Sequence, residues 1–107
     1  MSDQQTTIST HVLDVERGLP AAGVAVALYV VNGAGETLVG GGTTDEDGRI
    51  RRLLEGPLQP GSYRLEFAVD GPFFRHLAVG FQVDDTGRSY HVPLIMAPFS
   101  LATYRGS

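Results

Sequence analysis

Cysteine and tryptophan are both missing from the 107 residues. Without thiols the chain can form no disulfide, no thiolate metal site and no cysteine nucleophile. No apolar run approaches the roughly 20 residues that a membrane-spanning helix requires. The polar opening, Met1 to Ser9, also lacks the apolar centre of a secretory signal. Basic residues are the minority, 8 against 12 acidic ones, and the net charge of −4 excludes the basic surface of a general nucleic-acid binder. Long helix-forming runs are absent too. These absences point to a single soluble, cytoplasmic domain with no membrane or nucleic-acid partner.

What the chain has is punctuation. Fourteen glycines and six prolines break it into short elements. Residues 1–7 read as a disordered tail, and 8–107 as one β-domain. Ile8 to Val15 is a first strand, with Ser9, His11 and Leu13 on one side and Thr10, Val12 and Asp14 on the other. Arg17 to Pro20 is a turn. Val24 to Val31 and Glu36 to Thr44 are strands joined by Asn32-Gly33-Ala34-Gly35, a strong hairpin signal because Asn-Gly accepts positive φ. Gly40-Gly41-Gly42 reads as a bulge, since no P-loop lysine follows it.

Thr44 to Arg49 is an Asx-type turn; its acidic spacing is too short for a calcium loop. Ile50 to Leu54 is a short strand. Ser62 to Val69 sets Tyr63, Leu65, Phe67 and Val69 against polar alternates, the clearest half-buried strand in the chain. Leu77 to Val83 follows, and a closing hairpin spans Tyr90 to Ser107 around Pro98-Phe99-Ser100. A turn centred on Phe99 sets His91 opposite Ser107; one centred between Pro98 and Phe99 sets it opposite Gly106. The sum is an all-β antiparallel sandwich of two sheets with seven to eight strands.

The chemistry-bearing candidates are few. His76 sits beside Arg75 at a loop junction with nothing around it. His11 and His91 lie inside strands that are otherwise apolar or hydroxylated, and a neutral imidazole suits acid–base work near neutral pH. Their separation along the chain is unlike a zinc motif, and no third ligand suggests itself, so no metal is expected. Arg49 and Ser107, taken alone, read as a solvated loop charge and a chain end. A triad with Asp14 lacks any nucleophile-elbow motif.

Four stretches resemble one family. Ser9-Thr10-His11-Val12-Leu13-Asp14 with Gly18 to Val24, then Thr43 to Arg49, Tyr90-His91-Val92-Pro93-Leu94, and the closing Tyr104-Arg105-Gly106-Ser107 are similar to the motifs of the transthyretin-related proteins. The Tyr-Arg-Gly-Ser ending resembles the hydrolase branch and not the hormone carriers. The resemblance implies a prealbumin-like sandwich assembled as a homotetramer, a dimer of dimers with its sites in a channel between dimers. It implies cofactor-free hydrolysis of 5-hydroxyisourate in urate breakdown. Carried over by position, it assigns catalysis to His11, Arg49, His91 and Ser107, and substrate contacts to Arg49, Tyr104 and Arg105. The alternative is a non-enzymatic prealbumin-like structural or ligand-binding module. Two departures stand out. Residues 70–76 are too short for the family's helix and carry Arg75 where it has proline, and Ser100-Leu101-Ala102 replaces Gly-Tyr-Ser. Altered outer packing is the expected consequence of the first, and a changed channel wall that of the second.

Overall fold

The computed structural model describes residues 6–106, and every described element is a strand. In chain order these are β1 (Ile8–Asp14), β2 (Leu19–Pro20), β3 (Ala25–Asn32), β4 (Gly35–Thr43), β5 (Arg49–Ile50), β6 (Gly61–Ala68), β7 (Leu77–Val83), β8 (Tyr90–His91), β9 (Leu94–Ala97) and β10 (Ser100–Thr103). One sheet runs β4-β3-β6-β7 and is antiparallel throughout; the other is built around β1, with order β10-β9-β1-β2 and with β5 and β8 also paired to β1. The core lies between them. Its centre is the alternation expected of β6, where Tyr63, Leu65 and Phe67 point inward and are at most 2% exposed. From the facing sheet come Ile8, Val12 and Leu94, each fully buried. Burial of each such side chain stabilises the fold by about 1.5–3 kcal/mol. Thr10, the polar residue on this face of β1, donates its hydroxyl to the Val92 carbonyl at 2.6 Å, so its burial costs little.

Three features depart from the pattern read in the sequence. First, β1 pairs parallel with β8 and β9. Parallel neighbours need a long crossover, and the whole second sheet supplies it. Second, Leu19-Pro20 is a two-residue strand against Leu13 and Asp14, not part of a free turn. Third, the strand expected over Ile50 to Leu54 stops at Ile50, because the chain there crosses toward the other sheet. Leu53 donates its N–H to Ile8, while its carbonyl accepts from Gly41. A Cβ at Gly40 would collide with the Leu53 carbonyl, so the glycine run serves this close approach. The register shift itself falls at Val39, between the pairs Leu28↔Gly40 and Tyr29↔Leu38.

The closing hairpin has Pro98-Phe99 as its two-residue loop, with Ala97 opposite Ser100 and Leu94 opposite Thr103. That register sets His91 opposite Gly106, whose N–H donates to the His91 carbonyl at 2.7 Å. Of the two turn positions open in the sequence, the one between Pro98 and Phe99 is adopted. Segment 70–76 forms a tight loop, with Asp70 and Gly71 donating to the Arg75 and Phe74 carbonyls. Its Phe73 ring lies 6.3 Å from Phe99, so the shortened loop packs onto the β9–β10 turn. Of the expected tail, residues 1–5 lie outside the described residues. Thr6 donates to the Thr86 carbonyl, and Thr7 exchanges bonds with Ser89 and Tyr90.

Candidate active site

The site is laid out by β1. Its inner residues, Ile8, Thr10 and Val12, are committed to the core, so strand alternation turns Ser9 and His11 to the outer face. On the antiparallel side, β5 sets Arg49 beside His11. On the parallel side, β8 sets His91 beside Ser9. Residues more than 30 positions apart thereby share one patch, and three of the four predicted catalytic residues meet there. The fourth, Ser107, lies outside the described residues; it follows Gly106, which is bonded to His91.

Each imidazole is seated by one ring nitrogen. His11 Nε2 is 2.8 Å from the Asp47 carbonyl, and a carbonyl can only accept, so this nitrogen carries the proton. The Asp47 carbonyl is held in turn by the Asx-type turn expected from the sequence: Asp45 Oδ1 accepts from the N–H groups of Asp47 and Arg49 at 2.9 and 3.0 Å. Those two bonds, the Arg49 one foremost, hold the Asp45 carboxyl below its ordinary range, aided by the Arg51 and Arg49 charges. His91 Nδ1 is 2.9 Å from Ser9 Oγ. Burial is the main influence depressing the His91 pKa, followed by electrostatic repulsion from the His11 and Arg49 side chains. The neutral imidazole is therefore favoured at His91, the form that can accept a proton.

Two adjoining recesses hold these groups. One, of about 250 Å³, is lined by Ser9, Thr10, Arg49, Ile50, Arg51 and His91. The other, about 500 Å³ and wide open, is lined by His11, Pro20, Asp47, Arg49 and Arg51. Arg49 and Arg51 belong to both. Among the described residues, no carboxylate lies within salt-bridge distance of either guanidinium. No group of three or more His, Asp or Glu among the described residues is placed to hold a metal ion.

Tyr104 and Arg105 are not brought to this cluster. The register that puts Gly106 opposite His91 sends Arg105 to the other face of β8, where its guanidinium lies 4.4 Å from the centre of the Tyr90 ring. Both residues line a separate recess with Val79, Phe81 and Val92. Asp14 is used locally, its Oδ1 accepting from the N–H groups of Glu16 and Arg17. Ser9 and Arg51 are the participants that the sequence did not single out. The spacing of Ser9 two residues before His11 was the available signal, since it puts both on one strand face.

Residues 8–106 match the model of the HIUase/Transthyretin family. The chain belongs to that family. A 5-hydroxyisourate hydrolase from Deinococcus radiodurans is 44% identical over 94% of this chain and 95% of its own length. The uric acid degradation bifunctional protein TTL of Arabidopsis thaliana is also 44% identical, and this chain spans 37% of it. Among solved structures, the 5-hydroxyisourate hydrolase of Klebsiella pneumoniae superposes with a TM-score of 0.84 at 30% identity, covering 96% of this chain and all of that one. The two-sheet architecture is thus that of the family. Among the described residues no helix is long and apolar enough to cross a membrane.

Proposed function

We propose that this chain hydrolyses 5-hydroxyisourate to 2-oxo-4-hydroxy-4-carboxy-5-ureidoimidazoline, the ring-opening step after urate oxidation. The observation that carries this reading is the meeting of His11, Arg49 and His91 on one outer patch of the β1 sheet. Similarity to hydrolases of that name over nearly the whole chain supports it.

Opening a lactam requires a base for water, a cation for the carbonyl oxygen and a proton for the leaving nitrogen. His91, kept neutral by burial and by the basic groups beside it, takes the proton of the attacking water on Nε2 as the oxygen joins the carbonyl carbon. The Arg49 fork holds the anionic, urate-like ring and the charge gathering on the carbonyl oxygen. Collapse breaks the carbon–nitrogen bond, and the imidazolium returns its proton to the departing nitrogen. His11, with its Nε2–H fixed on Asp47, keeps Nδ1 for aligning the water. Ser107 joins the catalytic set by the family likeness alone, and the Arg105 stack on Tyr90 anchors the segment that precedes it. No cofactor takes part.

The active assembly in this reading is a cytoplasmic homotetramer. β7 and β10 end their sheets, and both line the recess around Tyr90 and Arg105. Adjacent open edges are groups that a second copy can pair, and a second dimer would wall the open histidine recesses. Light scattering should then give four times the mass of one chain.

The deciding experiment generates 5-hydroxyisourate in place with urate oxidase and follows its ultraviolet decay with and without this protein. Acceleration beyond the spontaneous rate is expected. Binding without acceleration would assign the chain to the non-enzymatic carriers instead.

A further inference from the structure

An imidazole that works as a base through one ring nitrogen must be told which nitrogen keeps the proton. For His11 the Asp47 carbonyl does this. For His91 the neighbour is a hydroxyl, Ser9 Oγ, which can either donate or accept. Only acceptance leaves the lone pair on Nε2, the nitrogen without a partner among the described residues. We propose that Ser9 is a positioning residue: its oxygen accepts the Nδ1–H of His91 and so keeps Nε2 as the basic nitrogen. The proposal deepens the hydrolase function proposed above and rests on it for the role of Nε2.

The seat is built into the backbone. Ser9 and His91 are register partners on parallel strands, and the bonds around them lock that register. Val92 donates to the Ser9 carbonyl at 2.9 Å, Tyr90 to the Thr7 carbonyl at 2.9 Å, and the Thr10 hydroxyl to the Val92 carbonyl. Ser9 Oγ has no other partner among the described residues, so nothing competes for its lone pairs. From the far side the ring is bounded by Gly106, where a Cβ would lie 2.6 Å from His91 Cδ2. The imidazole is thus held between a hydroxyl and a bare backbone.

A hydroxyl is also the suitable acceptor here. A carboxylate on Nδ1 would favour the imidazolium and lift the basicity of the ring. Among the described residues, the charged and titratable groups facing His91 are His11 from β1 and Arg49 from β5, with Arg51 beyond it; all of these are basic, and no carboxylate lines the recess. Ser9 therefore fixes the tautomer without raising the pKa. The base stays free of its proton at neutral pH.

The test has two arms. Nitrogen-15 NMR of the wild-type protein at neutral pH should show His91 protonated on Nδ1, and Ser9→Ala should shift it toward a mixture of tautomers. In steady state, Ser9→Ala should lower kcat about tenfold, the worth of one such hydrogen bond, with KM changed less than about twofold. Ser9→Thr, which keeps the hydroxyl on a strand-compatible side chain, should restore most of kcat. Ser9→Asp should move the acid limb of the kcat/KM profile upward by roughly one pH unit. A wild-type His91 protonated on Nε2, or a Ser9→Ala enzyme with unaltered kcat, overturns the proposal. The NMR arm on the wild-type protein needs no turnover, so its outcome is independent of the hydrolase assay.

Discussion

His91 carries two burdens at once, partial burial and the nearness of two basic side chains, His11 and Arg49, and both penalise its charged form. Its folded pKa therefore lies below the ordinary 6.5. For a base that must be neutral, activity is present above the folded value and lost as pH falls through it. The acid limb of kcat/KM should accordingly sit below 6.5 and move upward in Arg49→Gln, which removes the Arg49 charge; a limb at or above 6.5 in the wild type would dismiss His91 as the base. The same shift links to stability. The unfolded chain binds this proton at higher pH than the folded one, so the contribution is complete above 6.5 and declines below it. At this scale the sequence was partly informative. His11 and His91 stood out by residue type within strands, whereas Arg49 gained a role only through the family likeness. Ser9 went unmarked because a strand serine has many uses, and its partner lies 82 residues away.

Strand β8 is only two residues long, yet it borders β1 on one side and the closing segment on the other. Such a short element is placed by its neighbours and not by its own propensity. That is why its register stayed open in the sequence: Pro98-Phe99-Ser100 admits two turn centres, and only the observed pairing selects one. The alternation of 62–69 was legible for the opposite reason, since a half-buried strand prints its two faces directly into the residue order. The parallel pairing of β1 was not legible, because it depends on how the whole intervening sheet folds back. The adopted register has a consequence at Gly106. A methyl group there would meet His91 Cδ2 at 2.6 Å, and the imidazole must tilt to make room. Gly106→Ala should lower kcat by about one to two orders of magnitude, as expected for misdirected acid–base catalysis. Its melting temperature should stay within a few degrees, because the residue lies outside the core. A fully active Gly106→Ala enzyme would show that the His91 ring has room to spare on this side.

Taken whole, the molecule carries a net charge of −4, a field that repels an anionic substrate at a distance. The patch around His11 and His91 is a local exception. Arg49 and Arg51, two residues apart along one edge of the site, both line its recesses, and no carboxylate among the described residues pairs with either. Two guanidiniums side by side in an acidic protein concentrate attraction where an anion must arrive, and that attraction weakens beyond about 10 Å at 0.1 M salt. Arg49 lies next to His11, the place for a part in the proposed chemistry, whereas Arg51 is more exposed, the place for a part in capture. The two roles separate kinetically. Arg51→Glu should reduce kcat/KM about tenfold at low ionic strength, mainly through KM, and the deficit should shrink as salt is raised toward ~0.5 M. Arg49→Gln should instead lower kcat at every salt concentration. If Arg51→Glu left kcat/KM and its salt dependence unchanged, long-range attraction at this patch would contribute nothing to substrate capture, and the exposed guanidinium would be a solvated surface charge.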